Sequence, residues 1–209
     1  MAQSKEARSV VIESPKFEVA VFNIVGVSPY VQHKFSAKAR EMMMAKHRAG
    51  SQATKGKKRE PRKFEDDYKQ ATHFSREGWV GIPAPSFRNA MIDACRVVGF
   101  KMTQAKMSVF IEADGFDADE GTPLVKIEGE PRIHEALVRN DTGVADIRWR
   151  PMWEQWKAAV RIRWDAQQFS AQDVANLLAR AGMQVGIGEG RPFSKNSNGL
   201  GWGLFEVVS

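Results

Sequence analysis

Seven glycines crowd the stretch Gly182–Glu206, GMQVGIGEGRPFSKNSNGLGWGLFE. A residue without a Cβ lets main-chain amides approach an anion closely, and consecutive amides can form an anion-binding nest. Arg191 and Lys195 add positive charge, and Ser194, Asn196 and Asn198 add neutral donors, so the chemistry on offer is the holding of phosphate oxygens. Phe193 sits in the same loop with little apolar company and is a candidate stacking surface for a base. The pattern is not a dinucleotide fingerprint, which needs a strand before the glycines and a helix after them, and no Gly-Lys-Ser/Thr phosphate loop is present. The competing reading is a flexible hairpin that ends in a glycine-bulged strand.

The second constellation is one of charge. Between Lys34 and Lys63 eleven basic residues stand against two glutamates, a net +9 within a chain whose total is +6, so the remainder sums to −3. Lys34, Lys55, Lys57, Lys58, Arg59, Arg62 and Lys63 are the candidate phosphate contacts. Such a segment attracts phosphates regardless of base sequence, through counterion release, and the attraction weakens with salt. A solvated loop, or a contact to an acidic partner, explains the same residues.

Catalytic sets are sparse. His33, His47, His73 and His134 are scattered, and the single Cys95 does not build a usual zinc site. His33, in Tyr30-Val31-Gln32-His33-Lys34, is the one histidine placed where a general acid or base for RNA cleavage could sit; an exposed or phosphate-contacting side chain is the plainer reading. Asp114, Asp117, Asp119 and Glu120 read as an acidic surface turn ahead of a cation site. Neither a metal nor a cofactor is expected.

These residues need a scaffold, and the apolar fraction of 43% in 209 residues supports one. The alternation over Lys16–Val27 predicts a strand. That over Gln155–Trp164 predicts another, with Ala158, Val160, Ile162 and Trp164 on one face and Lys157, Arg161 and Arg163 on the other. Strands are also predicted at Met107–Ala113, Pro131–Arg139, Val144–Arg150 and Leu204–Val208, and a short hairpin around Ser75–Gly78. Ser36 caps an expected helix bearing Ala39, Met42 and Met43. Pro85 opens a second helix that Gly99 stops. Ser170 with Asp173 caps a third, closed by Gly182. Trp149, Trp153, Trp156 and Trp164 read as core or subunit contacts, with a stacking platform for bases near Arg148 and Arg150 as the alternative. The order gives an α+β, ferredoxin-like or RRM-like βαββαβ core, a single domain over 1–209 with a basic excursion over 34–72. One cysteine, a polar N-terminus and no bilayer-length apolar run lead to the expectation of a soluble cytoplasmic protein.

Two segments resemble a known family. Trp79–Arg96, WVGIPAPSFRNAMIDACR, and Ala181–Arg191, AGMQVGIGEGR, are similar to motifs of the RAMP superfamily, the RNA-binding proteins of CRISPR effector complexes, and fit its backbone-subunit branch best. The resemblance implies that Ser86 and Arg88 lie near RNA phosphates and that Gly186, Gly188, Gly190 and Arg191 form a loop on the RNA backbone or on a neighbouring subunit. It also implies that the chain self-associates along a single RNA strand beside other effector subunits. The expectation is thus a non-catalytic single-strand binder. A metal-independent endoribonuclease using His33, a viral or plasmid single-stranded DNA-binding or annealing protein, and a structural assembly protein are the alternatives.

Overall fold

The structure is a computed structural model that describes residues 13–35, 40–41, 44–45, 48, 64–139, 145–195 and 197–208. The expected helix at Ser36 through Met43, the turn at Asn140–Gly143 and the tract 49–63 fall wholly or mostly outside them. β1 (Phe17–Gly26) follows the predicted alternation: Ala20, Phe22 and Ile24 join the core, while Phe17, Val19 and Val21 are exposed. It pairs antiparallel along its length with β9 (Lys157–Asp165), from Phe17 opposite Asp165 to Val25 opposite Lys157. In β9 the residues Ala158, Val160, Ile162 and Trp164 are buried and Lys157 and Arg161 exposed, the period of two that a sheet covered on one face imposes.

The sheet is larger than the sequence suggested. β10 (Phe205–Val208) lies on the other side of β1, and β4 (Val109–Glu112) and β6 (Pro123–Glu128) share the second edge of β9. β3 (Gly81–Pro83) and β5 (Gly115–Phe116) pair with β6, which completes a curled antiparallel sheet of seven strands. A separate three-stranded sheet runs β2 (Tyr30–Val31), β8 (Ala145–Trp153), β7 (Arg132–Arg139). The expected small ferredoxin-like or RRM-like core is therefore incorrect. The reason is physical: side-chain period assigns faces, whereas edges are joined by main-chain N–H and C=O groups that every sequence offers. Pro123–Glu128 had no predicted role, yet it is the strand that ties β9 to β3 and β5.

Two helices cover the inner face. α2 (Ala84–Ala94) has Pro85 in its first turn and buries Phe87, Met91 and Ile92. α4 (Ala171–Arg180) buries Val174 and Leu178, and its capping box is formed: Asp173 N donates to Ser170 Oγ at 3.1 Å and Ser170 N to Asp173 Oδ2 at 3.0 Å. Gly182 does not end this helix. The chain continues through a π turn at Ala181–Val185, where a Cβ on Gly182 would stand 2.2 Å from the Phe205 carbonyl oxygen. α1 (Phe64–Gln70) rests on β8, and α3 (Met102–Ser108) occupies positions that had been expected to begin a strand. Trp153, Trp156 and Trp164 are buried, with the Tyr30 ring 5.6 Å from both Trp153 and Trp156. No helix among the described residues is long and apolar enough to cross a membrane.

Glycines test this packing. At Gly203 φ is +69° and an added Cβ would stand 1.8 Å from the Ile187 carbonyl oxygen, whereas Gly199, at φ +66°, has nothing within 4 Å. Gly199→Ala is expected to cost about 1 kcal/mol of backbone strain, and Gly203→Ala more than about 3 kcal/mol, because main chain must also move. Urea midpoints of the two variants check the difference.

Candidate nucleic-acid interface

Three segments distant in sequence enclose one open cleft of about 480 Å³. β2 and its exit supply Tyr30, Gln32 and His33; the start of α2 supplies Ser86 and Asn89; the glycine-rich segment supplies Val185–Arg191 with Ser194, Ser197 and Asn198. The glycine segment is laced down. Glu189 N donates to the Val31 carbonyl at 3.0 Å, Ile187 N to that of Gly203 at 3.0 Å, Gly203 N to that of Pro29 at 2.7 Å and Trp202 N to that of Gly190 at 3.1 Å. Gly188, at φ +75°, approaches so closely that a Cβ would stand 2.5 Å from the Tyr30 ring. The amides of Gly188, Gly190 and Arg191 donate to no carbonyl of the described residues. Arg191 is half-buried and its Nη1 donates to the Gly188 carbonyl at 2.8 Å, which holds the guanidinium against the loop.

Of the residues singled out in the sequence, Ser86, Gly186, Gly188, Gly190, Arg191, Ser194 and Asn198 line the cleft together with His33. Phe193 lies outside the lining, exposed, with the Arg96 guanidinium 5.7 Å from its ring centre. Lys195 is exposed and also outside it. Arg88 is used otherwise: its Nε donates to the Val109 carbonyl at 2.9 Å, its Nη2 to that of Lys106, and its guanidinium lies 5.3 Å from the Phe110 ring centre. It fastens α2 to β4 and lies outside the cleft lining. Lys55, Lys57, Lys58, Arg59, Arg62, Lys63 and Asn196 lie outside the described residues.

Lys34 is engaged within the protein too. Its buried ammonium donates to both carboxylate oxygens of Asp117, at 2.9 and 3.0 Å, and to Asp119 at 2.7 Å. Asp117 is no surface residue, since it is 0% exposed. It also accepts from the amides of Asp119 and Glu120, at 2.9 and 3.0 Å, and pairs with His73 Nδ1 at 2.8 Å. Burial alone would raise its pKa, but Lys34, the Glu120 amide and His73 together hold it at about 2. Arg40 pairs with Glu120, so both described basic residues of the first third that face this turn are neutralised by it. Gln32 extends the network: its Nε2 donates to the Gly81 carbonyl at 2.8 Å and its Oε1 accepts from His73 N at 2.8 Å.

His33 reaches solvent at the cleft, yet burial of its ring, then the charges of Arg150 and Arg148, lower its pKa to about 4. Burial lowers His73 too, against the opposing pull of Asp117. Arg150, buried on β8, pairs with Glu189 in the glycine segment and so ties the two sheets' neighbourhood to the loop. Sequence reasoning missed Gln32 and Glu189 in the lining, and Asp117 as the buried anchor behind it, because no period marks a polar residue whose partner is far along the chain. Among the described residues no group of three or more His, Cys, Asp or Glu side chains is placed to hold a metal ion. No protein-family model matches the chain, and no curated protein matches it.

Two outcomes follow from these groups. Removing one partner of a buried ion pair costs about 3–5 kcal/mol, so Lys34→Met is expected to lose that much in denaturant unfolding. His33, at about 4 when folded against an ordinary 6.5, makes the unfolded chain take up the proton first as pH falls. Its contribution, complete above pH 6.5, is lost between 6.5 and 4, so thermal melts should fall over that window and fall less in His33→Asn.

Proposed function

We propose that this chain binds the sugar-phosphate backbone of a single nucleic-acid strand, RNA foremost, along the cleft, as a non-catalytic subunit of a ribonucleoprotein assembly. One observation carries the reading: the helix-opening Ser86 and the glycine segment Gly186–Arg191, about 100 residues apart in the chain, share one open cleft with His33. The lining offers what a phosphodiester needs, namely main-chain amides, hydroxyls, the Asn198 amide and the Arg191 guanidinium. Burial of the ring is the main cause of the depressed pKa of His33, and the charges of Arg150 and Arg148 add to it, which puts two cations near the cleft wall. Asp93, on the α2 wall, repels phosphate locally and favours a path on the Arg191 side.

The resemblance to RAMP proteins supports the same reading and extends it to CRISPR-type partners, further copies along the strand and a cytoplasmic setting. RNA cleavage is the second reading, because His33 is a neutral base at pH 7 on the cleft wall. It lacks a positioned acid, since burial keeps His73 below its ordinary pKa. Binding stands ahead.

Anisotropy titration of a labelled single-stranded RNA tests the proposal. With about four phosphate contacts, affinity should fall about 50-fold between 50 and 200 mM salt. Arg191→Glu, and charge reversal at Lys55, Lys57, Lys58 and Arg59, should each remove most of it, while the RNA stays intact in EDTA. Absent or salt-insensitive binding rejects the reading; a deoxy strand bound equally well moves it to DNA.

A further inference from the structure

A second recess, about 70 Å³, adjoins the cleft at His33, which lines both spaces. Three elements wall it: Phe35 beyond β2, Asp67 and Gln70 on α1, and Arg148 and Trp149 on β8. The Trp149 indole is fixed by the Phe64 ring, stacked at 5.3 Å and 30°. Phe35 is 47% exposed, an aromatic ring held at the rim among charged and amide groups. Arg148 is paired with Asp146, its Nε donating at 3.0 Å and its Nη2 standing 2.9 Å from the same carboxylate.

We propose that this recess takes the base of a nucleotide whose phosphate lies in the adjoining cleft; the inference rests on the backbone reading above. Its volume is room for about five water molecules, which suits one six-membered ring and excludes a whole nucleotide. Aromatic rings and a guanidinium supply stacking surfaces that accept any base. Gln70 offers a donor and an acceptor, the groups that meet a base edge. The shared wall at His33 makes the two spaces neighbours at the scale of one nucleotide, with the backbone on the glycine side and the base on the Trp149 side.

The full chain is titrated at fixed salt with a 12-nucleotide RNA and with an abasic ribose-phosphate strand of equal length. The native protein should bind the RNA about 10-fold more tightly than the abasic strand. Phe35→Ala and Gln70→Ala, both at the rim and checked for unchanged melting, should shrink that preference and leave the salt dependence intact. Equal, salt-dependent binding of both strands overturns the base recess and leaves the backbone reading standing. A preference lost in Phe193→Ala and kept in Phe35→Ala overturns it as well, since the base then stacks on the glycine segment. If neither strand binds, the backbone reading fails and this inference falls with it.

Discussion

An ionised carboxylate sealed from water is costly unless every oxygen is met, and Asp117 is such a carboxylate. Its partners come from far apart: Lys34 stands 83 residues before it and His73 44 residues before it, while two amides arrive from its own turn. Meeting that one charge therefore fixes three pieces of chain against each other, namely the exit of β2, the hairpin before β3 and the turn after β5. Gln32 then locks β2 to Gly81. Because β2 carries Tyr30 and leads directly to His33, the position of the cleft wall follows from the ion pair. Lys34 serves the site by building it.

The glycine segment shows the same division of labour. The amides that suggested phosphate binding are mostly spent on folding, as Ile187, Glu189, Trp202 and Gly203 all donate to carbonyls of the protein. Close approach to Tyr30 and Val31 explains the glycine at 188 without any ligand. What remains for a ligand is a smaller set of amides on a strand already held in place. A preorganised loop loses less conformational freedom on binding than a flexible hairpin would. The lacing thus favours recognition by fixed donors over recognition by a loop that wraps its target.

Local rules made much of this legible. The two-residue period of β1 and β9, Pro85 at the start of α2 and the Ser170–Asp173 box are decided within a few residues, and each formed as the sequence indicates. The extent of the sheet is not local. Pro123–Glu128 carries a short alternation, Val125 and Ile127 against Lys126 and Glu128, but nothing in it says which strands it joins. Arg88 was legible as a cation near a helix start, but only the placement of α3 and β4 shows carbonyls and the Phe110 ring already occupying it. Asp117 was hidden for a further reason: in sequence it is one of four clustered acids, and burial selects a single member.

Charge teaches the same point about the cleft. The sequence concentrates its positive charge between Lys34 and Lys63, yet the members of that tract described near the acidic turn, Lys34 and Arg40, are neutralised within the protein. The field at His33 comes from β8 instead, through Arg150 and Arg148, in a part of the chain whose charges give no excess by count. Arg150 is buried and paired to Glu189, so its charge is poorly screened by water and anchored to the loop that faces the cleft. Both arginines are paired as well, Arg150 with Glu189 and Arg148 with Asp146, so what they bring to His33 is charge fixed in place on a strand, beside the acids that partly offset it. Where net charge says that an anion is welcome, burial and pairing decide where it is held.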